Sequence, residues 1–435
     1  MNKKQKNKKL LYIFFIIIFF IILFFIFGNL FINKKVQASK TVNLTFFNQK
    51  PEISTQYQDL INLYEKEHQN VNINLTTVGS GNGASALQAK FVSGDPPDIV
   101  MLGGLPDISR YKKQLLPLND MGTQKKVIPS LKTGSKYKNK NYGIPVDLEG
   151  YGWAYNKKVF RKANINPNKI KDFNDFKKTV TKLNDQKRKL NLSGVFGFDG
   201  ASINTPASFM AQFWSQPFKN NLYKAYTNKR LKFYNEKKTI KYLNLVRQYN
   251  VKPILSVEYD PAISDLLYNG KVAMIPQGNW VIAPLAESKK SFPKKNLGML
   301  PFYVKEKPHL LTGSSWYYGV TKTDPLREKA AKKFINWIFS SPKSQKIMVQ
   351  QMKLVPAIKN FPLKKLQDPV SKQVYRDGIS KHNIEPIHKE FPNGFTQETL
   401  TPNIQKYFVH KISWSKLKKD TRQQYYKLRD VQENK

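Results

Sequence analysis

The sequence predicts an α/β layered fold in two lobes, on three observations. Between residues 42 and 102 the apolar pattern reads strand, helix, strand, helix, strand, an order that implies right-handed crossovers within a layered domain. The run "DIVML" at 98–102 is short and nearly all apolar, as suits a parallel strand covered on both faces. Finally, about 400 residues remain beyond an apolar N-terminus, enough for two cores of ordinary domain size.

The elements follow in chain order. Lys3, Lys4, Lys6, Lys8 and Lys9 precede eighteen consecutive apolar residues, Leu10 to Phe27, close to the ~20 that a bilayer-spanning helix needs. The lysine excess ahead of that run, against Lys34 and Lys35 behind it, places the N-terminus inside and everything downstream outside. Val36-Gln37-Ala38 has the small-residue form of a signal-peptidase site, with the cut before Ser39. Residues 1–38 therefore read as a signal peptide or a transmembrane anchor. Either one puts the body on the extracellular face of the cell membrane.

Residues 42–47 alternate as a strand, and Ser54 to Glu67 places Tyr57, Leu60, Ile61 and Tyr64 on one helical face. A second strand spans 71–78, Gly79 to Gly83 is a loop, and Ala84 to Val92 is helical. That loop fits G-x-G-x-x-A, but the acid that should close the next strand, Asp98, opens it instead. The dinucleotide reading fails on this point. Asp95-Pro96-Pro97-Asp98 reads as a rigid entry turn whose carboxylates satisfy local backbone donors. At the other end of the strand, Gly103-Gly104 leaves bare backbone where ligands of open α/β sheets gather.

Composition excludes several functions. The chain has no cysteine, which removes disulfides, thiol nucleophiles and cysteine lipidation. His68, His309, His382, His388 and His410 show no metal-ligand spacing. Seven lysines and no acid lie before Ser39, so 66 basic residues face 30 acidic ones in the remainder. Such a field attracts polyanions, yet the lysines are scattered through every element, a pattern of codon bias. No nucleic-acid-binding signature is present.

Five stretches, "SGDPPDIVMLGG" (93–104), "NYGIPVDLEGYGWAYNKKVFRKANI" (141–165), "LLYNGKVAMIPQGNWVI" (266–282), "GSSWYYGVTK" (313–322) and "EKAAKKFINWIFSSPKSQ" (328–345), occur in that order. The ordered set resembles the extracellular solute-binding protein family 1, the sugar-binding receptors of ABC importers; beyond about Phe361 the resemblance fades. The resemblance implies a periplasmic-binding-protein-like (type II) fold, with an interlobe cleft that closes on its ligand. From the landmarks, one lobe is expected at 40–149 with 298–340 and the other at 150–297 with 341–435. The lipobox cysteine of many Gram-positive members is missing here; an uncleaved helix would do its work, whereas cleavage would release the receptor unless its positive charge held it against the wall.

A sugar needs bidentate polar groups for its hydroxyls and aromatic faces for its C–H patches. By position in "PVDLEGYGWAYN", Glu149 matches a ligand-contacting carboxylate of the family and Asp147 a frequent family aspartate; a hinge-capping role competes. Trp280 matches the tryptophan that stacks on sugar, against core packing, and Asn279 precedes it. Trp316, with Tyr317 behind it, follows glycine and serines in a loop near the cleft. Asn48 and Gln49 end the first strand and Asn82 follows the second, at the carboxyl ends where amides could reach a ligand. Trp153 and Trp214 stay open between core and cleft, whereas Trp337 suits the core and Trp414 a surface or packing role. Adjacent carboxylates on one segment do not suit a glycosidase, whose acids flank the scissile bond. The expectation is a monomeric, cofactor-free, non-enzymatic receptor that hands a carbohydrate to ABC permease subunits in the membrane. The competing expectation is a membrane-anchored sensor or adhesin for an acidic glycan or wall polymer.

Overall fold

The computed structural model describes residues 12–24, 41–79, 82–219, 221–304, 308–380 and 382–433. Its first sheet has the order β2-β1-β3-β9-β4, built from β1 (Val42–Asn48), β2 (Val71–Thr77), β3 (Ile99–Leu102), β4 (Ile144–Pro145) and β9 (Tyr317–Val320). β1 runs parallel to β2 and β3, while β9 runs antiparallel to β3 and β4. Helix α1 (Ser54–Glu67) buries Tyr57, Leu60, Ile61 and Tyr64, the four residues its periodicity selects. The Tyr57 and Tyr318 hydroxyls meet at 2.6 Å beneath it. α2 (Gly83–Val92) and the wholly buried β3 also lie where the pattern puts them.

The second sheet centres on β5 (Glu149–Asn156), every residue of which is buried. It pairs antiparallel with β6 (Met274–Gly278), β7 (Leu297–Leu300) and β8 (Leu311–Gly313). Around it Trp153 stacks among Phe176, Phe196, Phe209 and Phe302, and Trp214 is equally enclosed. Both are core residues. Trp337 and Trp414 are half-buried, their indole N–H groups donating to Glu67 at 3.0 Å and Glu236 at 2.8 Å.

Two expectations need correction. Residues 297–300 and 311–313 hydrogen-bond into the second sheet, so the chain returns to the first only at β9. The stretch after helix α3 (Pro325–Ser340) stays with the first lobe as far as Lys359, bonding through Ala357 O to Ile128 N and Val355 O to Leu148 N. It rejoins the second sheet through α4 (Pro369–Gly378), which packs on β5, β7 and β8. Nor is Asp98 a local cap. Its buried carboxylate accepts from Thr45 N at 2.8 Å and from Arg327 at 2.6 Å, tying β1 and α3 to the entry of β3.

Residues 12–24 are helical, with exposed apolar side chains. No helix among the described residues is long and apolar enough to cross a membrane. The rest of the expected leader, including the site before Ser39, lies outside the described residues, as do Ser80 and Gly81 of the glycine loop.

Candidate functional site

Two of the crossings between the lobes run side by side. Val146 to Leu148 leads from β4 into β5, and Ser314 to Trp316 leads from β8 into β9. Val146 N donates to Trp316 O at 2.9 Å, and Glu149 is paired with Gly313. Asp147, Glu149 and Trp316 therefore meet at the junction of the lobes, where sheet pairing on both sides fixes their backbones.

The residue that organises this junction is Lys50, which the sequence reading did not single out. Its ammonium lies 2.8 Å from Glu149 Oε1, 3.6 Å from Asp147 Oδ2 and 3.5 Å from Glu52 Oε1, with 3% of its side chain exposed. Burial by itself disfavours that charge, but Asp147 and Glu149 outweigh it and hold Lys50 well above its ordinary value. Burial likewise pushes Glu149 up, and the Lys50 ammonium more than reverses the effect, leaving that carboxyl below its usual range. Asp147, farther from the ammonium, is lifted by burial to about 7. One lysine thus fixes one carboxylate and leaves its neighbour able to take a proton near neutrality. Asp147 Oδ1 and Glu149 Oε2 remain buried without a partner. Orphaned acceptors of this kind are rare in a protein interior and call for a donor.

Asn48 and Gln49 lie beside this centre in scaffold roles. Asn48 Oδ1 accepts from Lys50 N at 2.9 Å and its amide donates to Thr77 Oγ1 at 3.0 Å, so it shapes the turn that presents Lys50. Gln49 donates to Met101 O at 2.7 Å and fills the space beside Gly83. Asn82 is exposed, and its side chain makes no helix-capping bond.

From the second lobe, Trp280 lies half-buried and parallel to Tyr151, with ring centroids 5.8 Å apart. Its Nε1–H donates to Gln277 Oε1 at 2.9 Å, and Gln277 in turn donates to the buried Asp199. Gly278 lets the indole fold back, since a Cβ there would come within 2.2 Å of the ring. Asn279 is buried and accepts from Gly150 N at 2.8 Å, a bond that secures the start of β5. Tyr317 is also buried, its hydroxyl without a partner.

The bare backbone at Gly103-Gly104 has protein neighbours. Trp316 lies against Gly103, 3.6 Å from where a Cβ would stand, and the Glu390 carboxylate fills the space beside Gly104, whose φ is +112°. Glu390 belongs to a segment, 383–390, that sequence reasoning left out. Ile384 pairs with Leu311 on the second lobe, while Glu385 accepts from Thr133 Oγ1 at 3.0 Å and Glu390 from Leu105 N at 3.3 Å on the first. Burial pushes both of these carboxyls well above their usual range. Lys389 sets its ammonium 4.0 Å above the Trp316 ring. A surface hollow elsewhere is lined by Asn43, Asn72, Asn74 and Arg327 at the amino ends of β1 and β2.

Two α/β lobes, antiparallel crossings set side by side and a polar, aromatic junction define a two-lobed binding protein. Residues 59–374 match the family of bacterial extracellular solute-binding proteins, and the chain belongs to that family. It is 26% identical over 238 residues to an uncharacterised ABC transporter extracellular-binding protein of Pyrococcus horikoshii, covering 52% of each chain. It is 24% identical over 322 residues to the multiple sugar-binding protein of Streptococcus mutans, covering 70% of this chain and 73% of that one. The chain thus spans about half the length of the first relative. A solved chitin oligosaccharide binding protein shares the fold, with a TM-score of 0.74 and 21% identity over 89% of this chain and 99% of that one.

Proposed function

We propose that this protein is an exported receptor that binds a carbohydrate, an oligosaccharide in particular, between its lobes and delivers it to a separate ABC permease. The observation that carries the reading is the junction itself. Asp147 Oδ1 and Glu149 Oε2 are buried without partners where the lobes join, and the second lobe, to which Glu149 belongs through β5, also presents Trp280 stacked on Tyr151. Such acceptors suit sugar hydroxyls, and the exposed part of an indole suits a sugar's C–H face. Lys50 keeps Glu149 ionised as an acceptor. Asn279, Asn48 and Gln49 hold the loops that carry these groups.

In this reading the protein binds and releases its cargo unchanged, as a monomer. Residues 1–38 direct export and then either hold it at the outer face of the membrane as an uncleaved helix or are removed. The S. mutans relative, named for sugar binding, supports the choice of ligand class.

Replacing Trp280 with alanine is expected to weaken oligosaccharide binding at least about tenfold, or ~1.4 kcal/mol, while the far-UV circular dichroism melt stays cooperative. Calorimetric titration with a sugar found by thermal-shift screening measures the change. An unchanged affinity removes Trp280 from the site, and no thermal shift with any sugar sinks the carbohydrate reading.

A further inference from the structure

The surface and the junction differ in charge. Against the basic excess of the whole chain, the junction gathers Asp107, Asp147 and Glu149, with Glu385 and Glu390 whose carboxyls burial raises, around Lys50 and Lys389, while Arg110 and Arg429 act on Asp107 and Glu390 from its edge. Lys50 is committed to Glu149 and Asp147 in a buried ion pair. Lys389 is held differently. It is half-buried, its ammonium rests on the face of Trp316 at 4.0 Å, and Glu149 and Asp107 act on it from opposite lobes. Trp316 in turn lies on Gly103, whose N–H donates to Asp107 Oδ2 at 2.8 Å, so indole, carboxylate and bare backbone form one wall.

That arrangement is an ammonium site already occupied by the chain's own side chain. An aromatic face flanked by carboxylates is the chemistry that recognises a cation. The buried atoms left without partners at the junction include three carboxyl oxygens, Glu149 Oε2, Asp147 Oδ1 and Glu385 Oε1, beside the Tyr317 and Tyr151 hydroxyls. Glu149, held ionised by Lys50, asks for a donor and opposes an anion. We propose that the cleft takes a glycan bearing a protonated amine, which seats on the Trp316 face between Glu149 and Asp107 in place of the Lys389 ammonium. This rests on the reading of the cleft as a sugar site and deepens it. Burial holds the Lys389 ammonium below its ordinary value, so Lys389 is the cation more easily displaced, whereas Lys50 is held above. The acidic glycans that the overall charge suggests are then turned away at the cleft, although the surface attracts them.

The test titrates the full-length protein in detergent with three short oligosaccharide probes: glucosamine oligomers below the pKa of their amines, their N-acetylated counterparts, and oligogalacturonates. The glucosamine oligomer is expected to bind about tenfold more tightly than the acetylated one, and the galacturonate to bind weakest. Lys389→Gln, which removes the internal competitor, is expected to raise affinity for the amine probe alone. Trp316→Phe tests the aromatic face with little change of fold and is expected to reduce the amine preference. Circular dichroism melts confirm that each variant folds. Equal binding of amine and acetylated probes, or preference for the galacturonate, overturns the cation site and leaves the carbohydrate receptor standing. If none of the probes binds but a neutral sugar from the thermal-shift screen does, the amine proposal fails alone; if no sugar binds at all, both fail.

Discussion

Replacing Lys50 with methionine is expected to lower the stability of the protein by about 3–5 kcal/mol near neutral pH, the cost of leaving a buried charge without its counter-ion. The side chains of Lys50, Asp147 and Glu149 are 3%, 2% and 8% exposed, so water cannot replace the ammonium. The pH dependence separates this from simple loss of packing. In the wild type, Glu149 is held below its ordinary value by Lys50, so its contribution is present above the unfolded value and is lost as pH falls. Without Lys50 both carboxyls are raised by burial, and the folded state then favours their neutral forms. The cost of Lys50→Met should therefore be largest above pH ~7 and shrink toward pH ~3, where the variant's two carboxyls are protonated in folded and unfolded chains alike. Urea unfolding at the two pH values measures it. A penalty equal at both would mean that the lysine stem, and not its charge, is what the junction needs.

How much of this site could be read from the sequence depends on which residues carry it. Helix α1 and strand β3 were legible because local periodicity and burial agree there: Tyr57, Leu60, Ile61 and Tyr64 are on one face, and all of β3 is covered. Glu149 and Asp147 were singled out by their place in an ordered set of landmarks. Lys50 was hidden, although it stands next to Gln49, because 73 lysines and arginines make no single one conspicuous and a buried ammonium is the last expectation for a lysine. The lobe boundary at β7 was missed for another reason. Residues 297–300 form a short apolar strand that suits either sheet, and only pairing with β5 decides the matter. Gly103-Gly104 was legible as bare backbone, but Trp316 and Glu390, which come from distant parts of the chain, could not be named from it. Segment 383–390 lies beyond the recognisable landmarks and beyond the matched residues 59–374. Its position is fixed by Ile384 on Leu311, a tertiary contact without a local signal.

Asp199→Asn is expected to flatten the pH dependence of stability and to leave the fold intact. Asp199 is buried in the second lobe, where it accepts from Thr205 Oγ1 at 2.6 Å and from Gln277 Nε2 at 3.1 Å. Burial raises its carboxyl from 3.8 to about 7, against the pull of the donors from Thr205, its own backbone N–H and Gln277. A group whose folded value is raised contributes stability in full below its unfolded value, and that contribution disappears as pH rises through the folded value. For Asp199 the window runs from 3.8 to about 7. Asparagine has the shape of the neutral acid and no proton to lose, so it keeps the bond from Gln277 while Thr205 reverses its hydroxyl. Between pH ~5 and pH ~8 the wild type should lose roughly 3 kcal/mol more than the variant, with Asp147 titrating in both and cancelling from the difference. The consequence reaches the site because Gln277 also accepts from Trp280 Nε1–H. Ionisation of Asp199 pulls the Gln277 amide toward charge, and the indole partner moves with it. Tryptophan emission of the wild type is therefore expected to shift across the same window, and Asp199→Asn to abolish the shift. Parallel stability curves for the two proteins would mean that Asp199 stays ionised when buried, held by the hydroxyl and amide donors alone.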